Sequence, residues 1–136
     1  MANPTRYTRL GIGDAPTAIR NKGDYFIQTL TAPVTIVAST AAQTTTTQLP
    51  PRCLVESVVL NVTTAESTGT TQTIDIGLST GGAADLANDI SVASTGFVAG
   101  LQNVVGDAAF LTYSLGSTDY AELEAEIVVK VIGSQV

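Results

Sequence analysis

Glu122-Leu-Glu-Ala-Glu-Ile-Val-Val-Lys-Val131 is the stretch that decides the fold. Leu123, Ala125, Ile127, Val129 and Val131 fall on one side of an extended backbone, and Glu122, Glu124, Glu126, Val128 and Lys130 on the other. Successive side chains of a strand point to opposite faces, so alternation over ten residues predicts a strand with one face in a core and one in water. A helix would scatter the same apolar positions around its circumference.

Working outward, Ala109-Phe-Leu-Thr-Tyr-Ser-Leu115 predicts another strand, closed by the turn signal Gly116-Ser-Thr-Asp119. Thr73-Ile-Asp-Ile-Gly-Leu78 alternates with Ile74, Ile76 and Leu78 inward. In Leu54-Val-Glu-Ser-Val-Val-Leu-Asn-Val62 the even positions Leu54, Val58, Leu60 and Val62 share a face, and Val55 and Val59 add apolar content to the other. That two-sided pattern predicts a central strand. Residues 63–71 read as a turn that would join the last two strands as an antiparallel pair. Residues 79–88 read as a loop with room for a helical turn at 83–87, and Ile90-Ser-Val92 and Gly96-Phe-Val98 as short apolar pieces.

Upstream, residues 24–30 and 33–39 are two short runs of strand formers broken at Thr31-Ala-Pro33, which predicts a hairpin or a bent strand. Residues 40–52 read as a Thr/Gln/Pro linker, with Pro50-Pro51 barring a central strand or a helix. Residues 1–23, rich in Pro, Gly, Asn and Thr, read as an extended arm, and 24–136 as a single domain. Seven or eight short strands separated by turn signals predict an all-β chain, a β-sandwich or closed barrel. A jelly-roll-like β-sandwich is the first choice, because a long Thr/Pro connection suits a sandwich with crossovers better than a meander.

The inventory of side chains narrows the chemistry. The 136 residues suffice for one domain with a real core, and charged residues make up only 13% of them, with Thr taking much of the polar surface. There is no His and no Trp, and Cys53 is the only cysteine. The commonest proton carrier and metal ligand is therefore missing, and neither an intrachain disulfide nor a cysteine zinc site can form. Cys53, opening an apolar run, reads as a buried inert thiol. The first residues lack the apolar stretch of a signal peptide, so the expectation is a chain made in a cytoplasm and left there.

The net charge of −6 conceals an asymmetry. Arg6, Arg9, Arg20 and Lys22 lie in the first 22 positions with Asp14 alone opposing them, a local net of +3, while the remainder carries Arg52 and Lys130 against eleven acids, a net of −9. A basic arm on an acidic body calls for an acidic surface to lie on.

Other candidate sites are weak. Glu122, Glu124 and Glu126, at spacing two, match a general acid and base in kind, but few aromatics are present to stack a sugar. They read as a solvated face whose mutual repulsion blunts a strand edge. Asp85, Asn88 and Asp89 are hard oxygen donors close in sequence, yet their spacing fits no EF-hand. Gly11-Ile-Gly13 is too short for a phosphate loop. The cluster Arg6, Tyr7, Arg9 is the one basic and aromatic group, and a body at −9 would repel phosphate, so no nucleic-acid partner is expected. No metal, cofactor, membrane partner or catalytic residue is assigned, and the chain reads as no enzyme. Tyr113 and Tyr120 are the pair that a sugar-binding head would need.

The stretch LPPRCLVESVVLNVTTAESTGTTQTIDIGL (residues 49–78), followed by DISVASTG (residues 89–96), resembles the small capsid decoration, or cement, proteins and related virion structural proteins of tailed bacteriophages. The shared pattern is a proline-introduced apolar strand ending in Val-Thr-Thr-Ala, a Thr/Gly turn and then Thr-Ile-Asp-Ile-Gly. The resemblance covers about a third of the chain. It implies a jelly-roll-like module, often trimeric, that sits on the outer capsid lattice and bridges neighbouring major capsid subunits. The expected role is then a decoration protein of the virion surface, with Arg6, Tyr7, Arg9, Leu10, Ile12, Arg20 and Lys22 of the arm as its capsid interface. A host-recognition β-module of a tail fibre or spike is the alternative.

Overall fold

The computed structural model describes residues 25–100, 103–105 and 107–134, so the arm lies outside the described residues. The described chain is all β. Its strands are β1 (Tyr25–Val34), β2 (Gln43–Leu49), β3 (Cys53–Thr64), β4 (Thr73–Leu78), β5 (Ala87–Ser91), β6 (Gly96–Ala99), β7 (Asn103–Val105), β8 (Ala109–Leu115) and β9 (Glu124–Ser134).

Two antiparallel sheets face each other. In the first, β9 lies between β1 and β3, and β6 and β7 both pair with the far side of β3, β6 opposite Val59–Val62 and β7 opposite Cys53–Val55. The order is thus β1-β9-β3-β6/β7, with β6 and β7 forming one interrupted edge. The second sheet runs β2-β8-β4-β5. Apart from the β4–β5 hairpin and the step along the interrupted edge, each connection passes from one sheet to the other. The result is an all-β sandwich of two antiparallel sheets, as the sequence led us to expect.

The alternating stretch behaves as its pattern dictates. Ile127, Val129 and Val131 are wholly buried, and their neighbours Glu126 and Lys130 are exposed. They pack with Val58, Leu60 and Val62 of β3 against Ile74, Ile76, Leu111 and Leu115 of the second sheet. Fully burying a side chain of this size stabilises by roughly 1.5–3 kcal/mol, so the core rests on these two inner faces. Gly133 of β9 carries no side chain because the ring of Phe26 lies where a Cβ would be.

Several expectations need correction. Residues 24–30 and 33–39 form no hairpin: β1 continues to Val34, with Pro33 opposite Glu126, and 35–42 is irregular. Proline is tolerated because β1 is an edge strand, where one side of the backbone has no ladder to make. Residues 40–52 are no plain linker, since Gln43–Leu49 forms β2 at the edge of the second sheet. Its threonines alternate between exposed and half-buried, which suits a β-branched residue. Strands β3 and β4 do not pair; residues 65–72 carry the chain between sheets. No helical turn forms at 83–87, where the chain turns and enters β5.

Leu54 is also placed differently. It is 38% exposed, whereas Cys53 and Val55 are buried. On β9, Lys130 pairs with Ser57 and the next residue, Val131, with Val55, leaving Glu56 as an extra residue. A bulge of this kind resets the phase of a strand, so every position before it changes face.

The sheet edges are irregular. The β6/β7 edge is interrupted around Gly100, β2 shifts register against β8 between Thr44 and Gln48, and β5 shifts against β4 between Ile74 and Ile76. A Cβ on Gly100 would lie 2.5 Å from the Leu86 carbonyl oxygen, so a residue without a side chain lets the backbone pass close to the segment entering β5.

Candidate interface on the outer face of the first sheet

The register of the first sheet sets its outward side chains in rows across the strands. One row is Ile27, Ile132 and Leu54; the next is Thr29, Lys130 and Ser57; then come Thr31, Val128, Val59 and Ala99; the last is Pro33, Glu126, Asn61 and Phe97. Tyr25, two residues before Ile27, adds to the first row's end. Tyr25 is 73% exposed, Ile27 66% and Phe97 75%. Of the five large apolar residues exposed among the described residues, four lie on this face (Tyr25, Ile27, Leu54 and Phe97), and only Phe110 belongs to the other sheet. Tyr25, Ile27 and Leu54 stand together at one end of the face, and Phe97 lies at its opposite corner; scattered exposed apolar residues are ordinary, but most of the exposed ones here share one sheet face.

Charge is graded along the same face. Following β9, the outward residues are Glu124, Glu126, Val128, Lys130 and Ile132, from acidic to apolar. Lys130 Nζ lies 3.3 Å from Glu56 Oε1. Both side chains are exposed, so the pair contributes at most about 1 kcal/mol, but it tethers the bulge to the central strand.

The residues singled out in the sequence fall in different places. Arg6, Tyr7, Arg9, Leu10, Ile12, Arg20 and Lys22 lie outside the described residues. Glu122 and Glu124 accept hydrogen bonds from Ser67 Oγ at 2.7 Å and Thr64 Oγ1 at 3.2 Å. Since β9 is central, their charges do not blunt an edge. Asp85 accepts the Gly82 N–H at 2.7 Å, closing a turn, and Asp75 of β4 accepts the Asp89 N–H of β5 at 2.7 Å, across the irregularity in that strand pair. Cys53 is buried, and burial pushes its thiol pKa up. Tyr113 and Tyr120 are buried, so they form no sugar platform. The Tyr120 hydroxyl sits 2.6 Å from both the Thr71 and Thr73 carbonyl oxygens, bonding the loop before β4.

Sequence reasoning passed over Glu66, which falls within residues 63–71, read there simply as a turn. It is 1% exposed. Its carboxylate accepts the backbone N–H groups of Ala121 at 3.1 Å, Glu122 at 3.0 Å and Leu123 at 2.9 Å, the Thr68 N–H at 3.1 Å and the Thr68 hydroxyl. Its own N–H donates to the Val92 carbonyl at 2.9 Å. Burial acts to raise this pKa, but the Thr68 hydroxyl and the three N–H groups outweigh it and bring Glu66 from 4.5 down to about 2. With its acceptor capacity spent on the chain's own backbone, Glu66 ties three segments together and is not arranged for catalysis.

An open cleft of about 200 Å³ lies between the β1 and β2 edges, lined by Pro33, Thr35, Thr44, Thr45, Thr46 and Tyr113. That is below the roughly 300–1,000 Å³ of small-molecule sites. Among the described residues no helix is long and apolar enough to cross a membrane.

No family model and no curated protein matches the sequence. Among solved structures, the chain is similar to one from the capsid asymmetric unit of cyanophage Pam1, with 16% identity, a TM-score of 0.59, and coverage of 90% of this chain and 96% of that one. It is also similar to one from the acidic stable capsid structure of Helicobacter pylori bacteriophage KHP30, with 12% identity, a TM-score of 0.58, and coverage of 80% and 91%. At these identities the likeness is one of fold.

Proposed function

We propose that this chain is a structural protein of a phage virion: a decoration, or cement, protein that binds the outer lattice of the major capsid protein and stabilises it. The observation that carries this reading is the gathering of exposed apolar side chains on one outer sheet face, in a fold that chains from two phage capsids share. A sheet face bearing the exposed side chains of Tyr25, Ile27, Leu54 and Phe97 suits contact with a protein surface. No catalytic step, metal, cofactor, nucleic acid or membrane enters the reading.

Stabilisation follows from mass action. A protein that binds the assembled lattice and not its free subunits lowers the free energy of the assembled state as it fills its sites. In this reading Arg6, Arg9, Arg20 and Lys22 pair with acidic groups of the capsid, Tyr7, Leu10 and Ile12 add apolar anchorage, and the outer face supplies a second contact. The module is a homotrimer, as the resemblance implies.

Co-sedimentation with shells assembled from the major capsid protein of the same genome tests the reading. The intact chain pellets with shells, and its binding weakens at least tenfold when residues 2–22 are deleted while circular dichroism still reports a folded β body. Shells that capture neither protein, or both equally, overturn it. Mass photometry at micromolar concentration tests the trimer, and a monomer there counts against it.

A further inference from the structure

The outer edge of β1 is closed along one half and open along the other. Strand β1 pairs with β9 in unbroken register from Tyr25 to Val34, so the side to which each residue turns its N–H and C=O alternates regularly along it. The Thr47 hydroxyl donates to the Thr31 carbonyl at 2.6 Å, and the Tyr113 hydroxyl accepts the Thr35 N–H at 3.0 Å and donates to the Thr35 carbonyl at 2.9 Å. Pro33, between them, has no N–H to satisfy. The odd-numbered residues therefore turn their backbone groups away from β9, and from Thr31 onward the second sheet meets them. On that side Tyr25, Ile27 and Thr29 have no backbone partner among the described residues.

The strand that fits there follows from the window itself. Tyr25 to Thr29 carries no charged residue, and an uncharged edge left unpaired is a template for another strand. The open residues are symmetric about Ile27. Laid antiparallel against an identical edge, Ile27 meets Ile27 and Tyr25 meets Thr29, so each unpartnered residue finds an unpartnered residue opposite. A shift of two residues either way leaves one residue of each copy unmatched. The side chains agree, since Tyr25, Ile27 and Thr29 share the outer face, and an aromatic ring beside a β-branched residue is a favourable cross-strand pair. Charge agrees as well. Glu124 and Glu126 lie at the Pro33 end of β1, so a two-fold axis at Ile27 sends the acidic ends of two copies apart.

We propose that the open half of β1 is an interface between two copies of this chain, which join edge to edge about a two-fold axis at Ile27 into one continuous sheet. The patches of Tyr25, Ile27 and Leu54 then lie on one shared outer face. The contact closes on itself, because both copies use the same window. Five residues a side, Tyr25 to Thr29, is far below the roughly 20–30 of a standard interface, so the contact is weak between free molecules. It strengthens where neighbours are already held side by side, through their high effective concentration. In the trimeric reading it links copies of different trimers, since a two-fold contact does not close within three. Those last two consequences rest on the lattice reading; the contact itself does not.

Residue-resolved amide exchange of the full chain, without shells, tests the contact over a hundredfold range of concentration up to millimolar protein. The Ile27 amide is expected to exchange at least tenfold more slowly at the highest concentration than at the lowest, while the Val129 amide is unchanged. Ile27→Lys sets like charges face to face across the axis and abolishes that dependence, and intact Val129 protection shows that the variant is folded. Oxidation of Ile27→Cys gives a disulfide-linked dimer at least tenfold faster than oxidation of Phe97→Cys, since the Cα atoms of a hydrogen-bonded antiparallel pair lie about 5.5 Å apart, within disulfide reach. Fast Ile27 exchange at every concentration overturns the contact. Protection unchanged on dilution also overturns it, because a contact this small dissociates over that range and the strand would then come from the same chain. Protection gained only when shells are added overturns it too, and assigns the edge to the capsid protein. A failure to pair leaves the lattice reading standing, and a chain that pairs but does not pellet with shells removes that reading and spares the contact.

Discussion

The carboxylate of Glu66 accepts the backbone N–H of Leu123 at 2.9 Å, so the loop leaving β3 holds the segment that enters β9. Both ends of this contact are buried, and Leu123 itself belongs to the core. The middle and last thirds of the domain are thereby joined at one end of the sandwich by a single side chain. Replacing Glu66 with Ala strands several backbone donors away from water, and each such donor costs roughly 1–3 kcal/mol. Glu66→Ala is expected to destabilise by about 3–5 kcal/mol and Glu66→Gln, which keeps one acceptor oxygen, by less. Urea unfolding checks the order, and two variants of equal stability would contradict it.

The same residue sets a dependence on pH. Its folded pKa, about 2, lies below the ordinary 4.5, so the unfolded chain binds the proton first as acid is added. The contribution of Glu66 is fully present above about pH 4.5 and is lost progressively as pH falls towards 2. The urea midpoint of the unaltered chain should fall across that window, and in Glu66→Gln the fall should be shallower. Identical profiles would remove Glu66 from the account.

The bulge at Glu56 makes Leu54 and Val55 opposite in kind. Leu54→Ser should cost under about 1 kcal/mol, because the side chain already meets water, and Val55→Ser about 2–4 kcal/mol, because it leaves a cavity and buries a hydroxyl. An uninterrupted alternation would give the reverse order in thermal unfolding.

Tyr113 reaches from β8 to the Thr35 backbone on the far side of the sandwich edge. Tyr113→Phe removes both hydrogen bonds and is expected to cost about 1–3 kcal/mol, with faster amide exchange at Thr35. Unchanged exchange there would show that the contact does not hold the edge.

Cys53 is 1% exposed, and burial raises its thiol pKa, so the thiolate is scarce and hidden. A thiol reagent at pH 8 should modify it at least a hundredfold more slowly in the native protein than in denaturant. Rapid native modification would place the thiol at a surface.

How much of this was legible follows from where contrast exists in the sequence. Strands β4, β8 and β9 read correctly because Ile74 and Ile76 differ in kind from Thr73 and Asp75, as Ile127 and Val129 differ from Glu126 and Lys130. Strand β2 did not, because Thr44 to Thr47 alternate in burial while remaining the same residue, so no hydrophobic period marks them. The bulge was illegible since a register is a property of two strands, and only Lys130 and Val131 on β9 reveal that Glu56 is extra. The outer face was missed for the same reason: Ile27, Ile132 and Leu54 are distant in sequence and become neighbours only through β9. Glu66 resembles any carboxylate in a polar turn until the N–H groups of residues 121–123 arrive beside it.

The breaks along the β6/β7, β2 and β5 edges have a consequence for solubility at high concentration. A long regular ladder needs two compatible margins on each molecule so that growth at one end leaves a template at the other. Among the described residues, the margin of the first sheet opposite β1 is divided between two short strands, β6 and β7. Pairing between molecules along the described edges is thereby shortened, so these irregular margins oppose the growth of long ladders.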